Sequence, residues 1–561
     1  MNDKMDVQNG KMIEMLCQYL GTFLHILFFY CKNMKCKFLF LSLILLLGSL
    51  YGCTDSENEA GGVSSAKVIE SDPVDGATEV DPELSTITFT FDKAVSLASN
   101  WDKFTLEPAT QITHVSATVR TLKVAVPKLQ WNTQYTLTIP QGALVDHYNN
   151  AVGEVKISFT TAALIDGSQP DQTGMESDAF ALFKKIKVGW NLGNSLESYN
   201  EGMANHMDAE TSWGNPAVTK DMIDAVKNAG FNAVRIPVRW YPHVTDQNTM
   251  AEVKTEWLDR VKQVVDYCID NGMYVILNTH HEDWLESHPL VEEAETVLMK
   301  ERNLWHAIAT FFKDYDEHLI FSGTNEVEIN WQAPTADNLQ AQNNFNQCFV
   351  DAVRSTGGKN YYRNLIIQTY ATNPDYAFSD YANGHLTFPT DVVENRIAIE
   401  FHFYRPAGFS YMDFADYTET VYYWGKDYIQ YNTGASNEQE DYVDWLFGKI
   451  KQEWVDKGYP VVMGEYGVVT PPKDKSDGNV NDLADTKRYY MTYVTSAAKR
   501  NGIVPIVWDN GTFYNPLYDG PFVEGKEYFG LFNRWYQMQL NNYSEPIVEG
   551  IMEGAKTEYP F

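Results

Sequence analysis

Phe321-Ser-Gly-Thr-Asn-Glu326 and Val461-Val-Met-Gly-Glu-Tyr-Gly467 each set a glutamate just beyond a short apolar run, and a helix-periodic stretch lies further along the chain after each. Runs of the same kind recur at Lys187–Trp190, Ala233–Ile236, Tyr274–Leu277, Leu319–Phe321, Leu365–Ile367, Ile397–Ile399, Val461–Met463 and Ile503–Val507. Amphipathic segments separate most of them. In one, Trp257, Val261, Val264, Val265 and Cys268 share a helical face that Gly272 ends; in another, Val218, Met222, Val226 and Ala229 do so before Gly230. Eight strand candidates alternating with helices predict an α/β fold, a (β/α)8 TIM barrel with enlarged loops over residues 175–561. A doubly wound parallel sheet is the alternative.

Upstream the grammar is different. Ile87, Phe89 and Phe91 alternate with polar residues, as do Leu122, Val124 and Val126, then Tyr135, Leu137 and Ile139, then Val155, Ile157 and Phe159. Turn formers such as Asp72-Pro-Val-Asp-Gly76 separate these runs, which predicts a small all-β sandwich over residues 66–161. Its opening, Ser71-Asp-Pro-Val-Asp-Gly-Ala77 with Val80-Asp-Pro82, resembles bacterial Ig-like domains. No chemistry-bearing side chains cluster there, so a spacer is expected, with glycan binding the alternative. Residues 162–174 are polar and rich in turn formers and read as a linker.

Met34-Lys-Cys-Lys37, the apolar run Phe38–Leu47 and Gly48-Ser-Leu-Tyr-Gly-Cys53 have the basic, apolar and small-residue regions of a secretory signal. Cys53 resembles the lipid-modified cysteine of a bacterial lipoprotein. A transmembrane helix is the alternative, but the apolar stretch falls short of the ~20 residues a span needs. Residues 1–53 are therefore expected to be an N-terminal extension and signal peptide, with Met34 as the translation start. Residues 54–65, with the acidic run Thr54-Asp-Ser-Glu-Asn-Glu59, resemble the export tether of surface lipoproteins of Bacteroides-like bacteria. The expected location is outside the cytoplasm, at the outer membrane or cell surface of a Gram-negative bacterium, through a lipid anchor at Cys53. Cys17, Cys31 and Cys36 lie at or before the signal, which leaves Cys268 and Cys348 in helix-periodic segments as buried free thiols.

A net charge of −32 spread along 561 residues makes nucleic acid an unsuitable partner and puts no penalty on a neutral polymer. A monomer is expected. Polar residues stand at the predicted strand ends in order: Asn191 and Asn194, Arg235, His280 with His281, Asn325 with Glu326, Tyr370, His402 with Tyr404, Glu465, and Trp508. Each alone has an ordinary structural explanation: a buried ion pair for Arg235, a core histidine for His280, packing for Tyr370. Their coincidence at successive strand ends, where barrel enzymes work, is what points to a site. Two strand-end carboxylates are what cleavage of a glycosidic bond with retention requires, one as acid/base and one as nucleophile.

Val188-Gly-Trp-Asn-Leu-Gly-Asn-Ser-Leu196, Glu210-Thr-Ser-Trp-Gly-Asn-Pro216, Gly230-Phe-Asn-Ala-Val-Arg-Ile-Pro-Val238, Asn278-Thr-His-His-Glu282, Asn325-Glu326, His402-Phe-Tyr404, Gly464-Glu-Tyr-Gly467 and Trp508-Asp-Asn-Gly511 together resemble glycoside hydrolase family 5, most closely its subfamily 4 of endo-β-1,4-glucanases and xyloglucanases. The resemblance implies Glu326 as acid/base and Glu465 as nucleophile. It implies Arg235 as the cation beside the nucleophile, Tyr404 as its hydrogen-bond donor and Asn325 at the sugar 2-hydroxyl. His280 and His402 would orient the site, and Trp508 would form its floor. Asn194 and His281 complete the expected substrate-binding set. The substrate would be a β-glucan polysaccharide, with no cofactor. The acid's pKa is expected to be raised by burial and the nucleophile's lowered by its cation.

The chain departs from many relatives at Ser322 (Glu there), Val327 (Pro), Tyr466 (Phe) and Arg405 (acidic or small), which leaves the substrate open. Trp213, Trp240, Trp284, Trp331 and Trp424 lie in predicted loops, and two or three of them are expected to line sugar subsites. His280-His-Glu282 with His288 invites a zinc site, but adjacent residues on a strand point to opposite faces and no helical His-x-x-x-His spacing exists, so no metal is expected. Two rivals stand beside the glucanase: a surface glycan-binding lipoprotein with an inactive barrel, and a mannanase or xylanase of the same family.

Overall fold

The computed structural model describes residues 65–561, apart from 79, 83, 109, 128, 130–132, 163–167, 411–420, 432–437, 470–479, 513–526 and 541–542. The expected signal, Cys53 and the acidic tether lie outside the described residues. Among the described residues no helix is long and apolar enough to cross a membrane.

The N-terminal unit is a β-sandwich. One sheet has the order β1 (Val68–Asp72), β2 (Thr86–Phe91), β6 (Thr121–Ala125), β5 (His114–Thr118); the other has β4 (Thr105–Glu107), β7 (Gln134–Ile139), β9 (Val155–Thr160); a pair, β3 (Val95–Leu97) and β8 (Leu144–Asp146), stands apart. The pairings between these strands are antiparallel, and a parallel bridge joins Val80 to Thr161. The period-two runs explain the core: Ile87, Phe89, Phe91, Leu122, Val124, Leu137 and Phe159 face inward between the sheets and are buried, while their neighbours face water.

Eight parallel strands close the barrel in chain order: β10 (Gly189–Asn191), β11 (Ala233–Ile236), β12 (Tyr274–Asn278), β13 (Leu319–Ser322), β14 (Leu365–Gln368), β15 (Ile397–Phe403), β16 (Val461–Tyr466) and β17 (Ile503–Val507), with β17 returning to β10. The doubly wound alternative is thereby ruled out. Strand parity sorts the side chains into two cores. Val234, Ile236, Val275, Leu277, Phe321, Ile367, Ile399 and Met463 pack outward against the helices. Ala233, Ile276, Ile320, Ile366, Ala398, Val462, Val504 and Ile506 form an apolar layer inside, plugged from the amino-terminal end by Leu182, Phe183 and Ile186. The predicted helical faces are seated as expected: in Thr255–Ile269, Trp257, Val261, Val264, Val265 and Cys268 are all buried. Val218 precedes its helix, which begins at Lys220 behind a Thr219 cap. Cys268 and Cys348 are buried thiols, neither in a disulfide.

Candidate active site

One inward position beyond the apolar layer, the barrel interior turns polar. Asn191, Arg235, Asn278, Ser322, Gln368 and Glu400 occupy the next inward places on β10 to β15, and all are fully buried. Arg235 is the hub of this tier. Its Nη1 donates to Asn191 Oδ1 at 3.1 Å and to Glu465 Oε1 at 3.0 Å; its Nη2 donates to Asn325 Oδ1 at 2.8 Å and lies 2.9 Å from Glu400 Oε1. A buried guanidinium is stable only with such compensation, and its planar fork matches carboxylates and amides.

Glu465 reaches this hub through a break in strand register. Pairing of β15 with β16 runs Phe401 to Met463, then skips to His402 with Glu465. Simple alternation would point Glu465 outward beside Met463; the extra residue, Gly464, re-aims it inward. Glycine is needed there, since a Cβ at 464 would lie 2.2 Å from Glu400 Oε1. Tyr404 Oη donates to Glu465 Oε2 at 2.9 Å. Glu326 follows β13 on a loop and takes a left-handed backbone, φ 45°, with Thr372 (φ 46°) beside it, its Oγ1 3.4 Å from Glu326 Oε1. Left-handed non-glycine residues are strained, above all a β-branched one, and such strain gathers at functional sites. An oxygen of Glu326, an oxygen of Glu465 and a His402 ring nitrogen all lie within 4.8 Å of one another. The Glu326 side chain is 29% exposed and that of Glu465 7%, so Glu326 is the carboxylate nearer the open cleft.

His402 stands between them. Its Nδ1 is 2.7 Å from Glu326 Oε1 and 3.6 Å from Glu465 Oε2, and its Nε2 is 3.2 Å from Glu400 Oε1. Burial lowers its pKa, but Glu465, Glu326 and Glu400 outweigh that and push it up to about 9, so it is an imidazolium at neutral pH. Burial raises Glu326 as well, yet the hydrogen bond and charge of His402 leave it below the ordinary carboxylate range. Glu465 lies above that range: burial raises it, His402 and Arg235 pull it back, and the negative charge of Glu326 lifts it again. This order is the reverse of the one expected from sequence. The cause is His402, which sits closer to Glu326 than to Glu465, so the three groups titrate as a unit rather than as two independent acids.

The remaining predicted residues fall as follows. His280 is buried and stacks parallel to Trp508 at 6.0 Å, and burial holds it neutral. His281, φ 56°, stands edge-on to Trp213 at 5.5 Å; burial first, then Arg239, lowers its pKa to about 4. Trp508 lies over Gly193, where a Cβ would come 2.7 Å from the indole. Asn194 forms the left-handed turn after that glycine, its N–H donating to Glu197 and its carbonyl accepting from Asn215 at 2.8 Å. Tyr370 packs inside, its hydroxyl accepting from the Ile329 N–H. Among the five loop tryptophans, Trp240 and Trp424 are fully buried in the core and cannot line a subsite; Trp213, Trp284 and Trp331 remain accessible. Trp535, missed from sequence, is 64% exposed and donates to Gly214 O, next to Trp213.

Glu400 and Thr372 were also missed. Glu400 had a readable signal, since Ala398, Glu400, His402 and Tyr404 alternate with Ile399, Phe401 and Phe403. Thr372 had none, because only the backbone turn brings it to Glu326. The four residues of the zinc suggestion are engaged separately: His280 on Trp508, His281 on Trp213, Glu282 with the Trp240 and Tyr241 amides, and His288 with Glu293. Glu326, His402 and Glu465 are close enough to share an ion, but a charged His402 already donates to Glu326 and offers no lone pair.

A closed parallel barrel that brings two carboxylates this near each other at its carboxyl end has the geometry of a retaining carbohydrate hydrolase, whose acids stand about 5–5.5 Å apart rather than about 6.5–9.5 Å. The family description "Cellulase (glycosyl hydrolase family 5)" matches residues 196–513, and "Bacterial Ig-like domain" matches residues 63–161. A xyloglucan-specific endo-beta-1,4-glucanase of Bacteroides ovatus is 30% identical over 486 residues, covering 85% of this chain and 92% of that protein. Endoglucanase A of Paenibacillus barcinonensis is 35% identical, covering 67% of this chain and 90% of its own. The solved structure of a Bacteroides ovatus family 5 xyloglucanase in complex with a XXXG heptasaccharide superposes with a TM-score of 0.61 at 28% identity, covering 88% of this chain and 100% of that one. The chain belongs to glycoside hydrolase family 5.

Proposed function

We propose that the protein is an endo-β-1,4-glucanase that hydrolyses cellulose, mixed-linkage glucan or xyloglucan backbones by double displacement. The single observation that carries this is the pair Glu326 and Glu465 within 4.8 Å across His402. Glu465, gripped by Arg235 and Tyr404, is the nucleophile. Glu326 is the acid/base, and before substrate binds its proton is held on His402. A glycosidic oxygen arriving at Glu326 excludes water and raises that carboxyl's pKa, so the proton passes from His402 Nδ1 to Glu326 and on to the leaving sugar. Once Glu465 is esterified, ionised Glu326 takes a proton from water as the water oxygen bonds to the anomeric carbon and the bond from that carbon to Glu465 breaks; the proton on Glu326 then returns to His402 Nδ1. Asn325, fixed by Arg235, would face the sugar 2-hydroxyl, and the Trp508 indole would carry the apolar face of the ring.

Substrate preference within β-glucans is supported by the relatives named xyloglucan-specific endoglucanase and endoglucanase. The sequence of residues 34–53 alone supports secretion and a lipid anchor at Cys53. Purified residues 54–561 should release reducing ends from at least one β-1,4-glucan and shorten it from within. Glu326→Gln should lower kcat on polymer by about 10²–10⁴-fold. Wild-type rates in Glu326→Gln would remove the acid/base assignment; binding without reducing-sugar release would make the protein a glycan-binding barrel; release from mannan or xylan alone would move it to another polymer.

A further inference from the structure

We propose that Glu400 is a positioning residue of the reaction: a carboxylate that never meets substrate but clamps both cations of the site, Arg235 and His402, in the geometry and charge state that Glu465 and Glu326 need. It rests on the reading of Glu326 and Glu465 given above. Glu400 is fully buried beneath the reacting groups. One oxygen, Oε1, faces two cations at once, Arg235 Nη2 at 2.9 Å and His402 Nε2 at 3.2 Å. The other, Oε2, accepts from Ser322 Oγ at 2.9 Å. Both oxygens are thus satisfied, as a buried anion requires. The surroundings are built to admit it, because only glycine fits at 464, where any Cβ would strike Oε1.

The consequence for His402 follows from the inventory of its two ring nitrogens. With Nδ1 on Glu326 and Nε2 on Glu400, both nitrogens face acceptors, so both must carry protons. Glu326 can lose its partner to substrate during turnover; Glu400 cannot, since it is sealed in the barrel. It is therefore the permanent anchor of the His402 ring, through Nε2. The groups that face His402 are Glu326 from the loop after β13, Glu400 from β15 and Glu465 from β16, with the cation Arg235 of β11 bound to the same Glu400 and Glu465 and a neutral His280 after β12. Burial alone would raise Glu400, but Arg235 and His402 outweigh it and hold the carboxyl below its ordinary range.

Arg235, Ser322 and Glu400 stand on alternate strands, β11, β13 and β15, and so occupy one layer of the interior. Ser322 touches Glu400, so a carboxylate grown from residue 322 would enter the same space from the opposite side. The charge is needed at that point in the layer rather than on that strand.

Three measurements test this in residues 54–561. Glu400→Gln keeps the shape and removes the charge. It should lower kcat about 10–100-fold with KM within about twofold, the scale of a lost supporting partner, and move the alkaline limb of kcat/KM to lower pH, because losing an anion makes His402 easier to deprotonate. Moving the carboxylate, in E400S/S322E, should restore kcat to within about threefold of wild type and return the alkaline limb. Nitrogen-15 NMR of the wild-type His402 ring should show both nitrogens protonated at pH 7, a readout that requires no variant to fold. Wild-type kcat and an unmoved alkaline limb in folded Glu400→Gln, or a neutral His402 ring at pH 7, would overturn the proposal. No recovery in a folded E400S/S322E would also count against it. If Glu326→Gln loses activity while Glu400→Gln keeps wild-type kcat and its alkaline limb, this inference alone falls; if Glu326→Gln keeps wild-type rates, the catalytic reading falls first.

Discussion

Glu465 shows how one residue's chemistry is set by what surrounds it. Burial works against its ionised form, and two donors, Arg235 at 3.0 Å and Tyr404 at 2.9 Å, work for it. Tyr404→Phe removes one donor and little volume. A hydrogen bond to a charged group contributes about 1.5–3 kcal/mol, so kcat/KM should fall about 10–100-fold. The sign of the pH effect is fixed: the ionised form loses stabilisation, Glu465 titrates higher, and the acid limb of kcat/KM moves to higher pH. A profile of Tyr404→Phe that keeps its acid limb in place would show that the phenol does not support the nucleophile. At this scale the sequence yielded Glu326, Glu465, Arg235, His402 and Tyr404, because each stands at or near the end of an apolar run. Glu400 was hidden by the same rule. As an apolar run Ile397–Ile399 ends at the first charge, whereas the strand continues to Phe403 with Glu400 and His402 on its inner face.

The elements were legible because parallel strands buried on both faces read as near-continuous apolar runs. What shortened the predicted strands is the change from an apolar to a polar inner layer: Asn278, Ser322, Gln368 and Glu400 each lie inside a strand although they are polar. Loops gave less. Trp240 and Trp424 occur in segments without helix or strand yet are fully buried, the first with its indole N–H on Asn278 O at 3.0 Å and the second on Glu438 O at 2.9 Å. Trp213 and Trp331 are 37% and 66% exposed. The two kinds should separate on mutation. Trp240→Ala should cost about 3–5 kcal/mol in denaturant unfolding, the range for deleting a buried tryptophan. Trp213→Ala and Trp331→Ala should leave stability within about 0.5 kcal/mol and raise KM for polymer. Unchanged KM in both exposed variants would place the sugar-binding aromatic surface elsewhere, with Trp535 the next residue to test.

At the scale of the whole molecule, the sandwich and the barrel follow from two periodicities in one chain: period two over the upstream strands, and apolar runs alternating with helical faces beyond residue 175. Closing the barrel brings residues as far apart in sequence as Asn191, Arg235, Glu326, His402 and Glu465 to one end, and no local pattern states the distances between them. That is why the candidate residues could be read in advance but the order in which Glu326, His402 and Glu465 titrate could not. The stereochemistry of hydrolysis reports directly on the spacing of the two carboxylates. A proton NMR time course should be followed from the first minutes of glucan cleavage, before mutarotation mixes the anomers. With Glu465 as nucleophile, the new reducing end appears first as the β-anomer. An α-anomer formed first would mean that water attacks the sugar directly, and would contradict a covalent intermediate on Glu465.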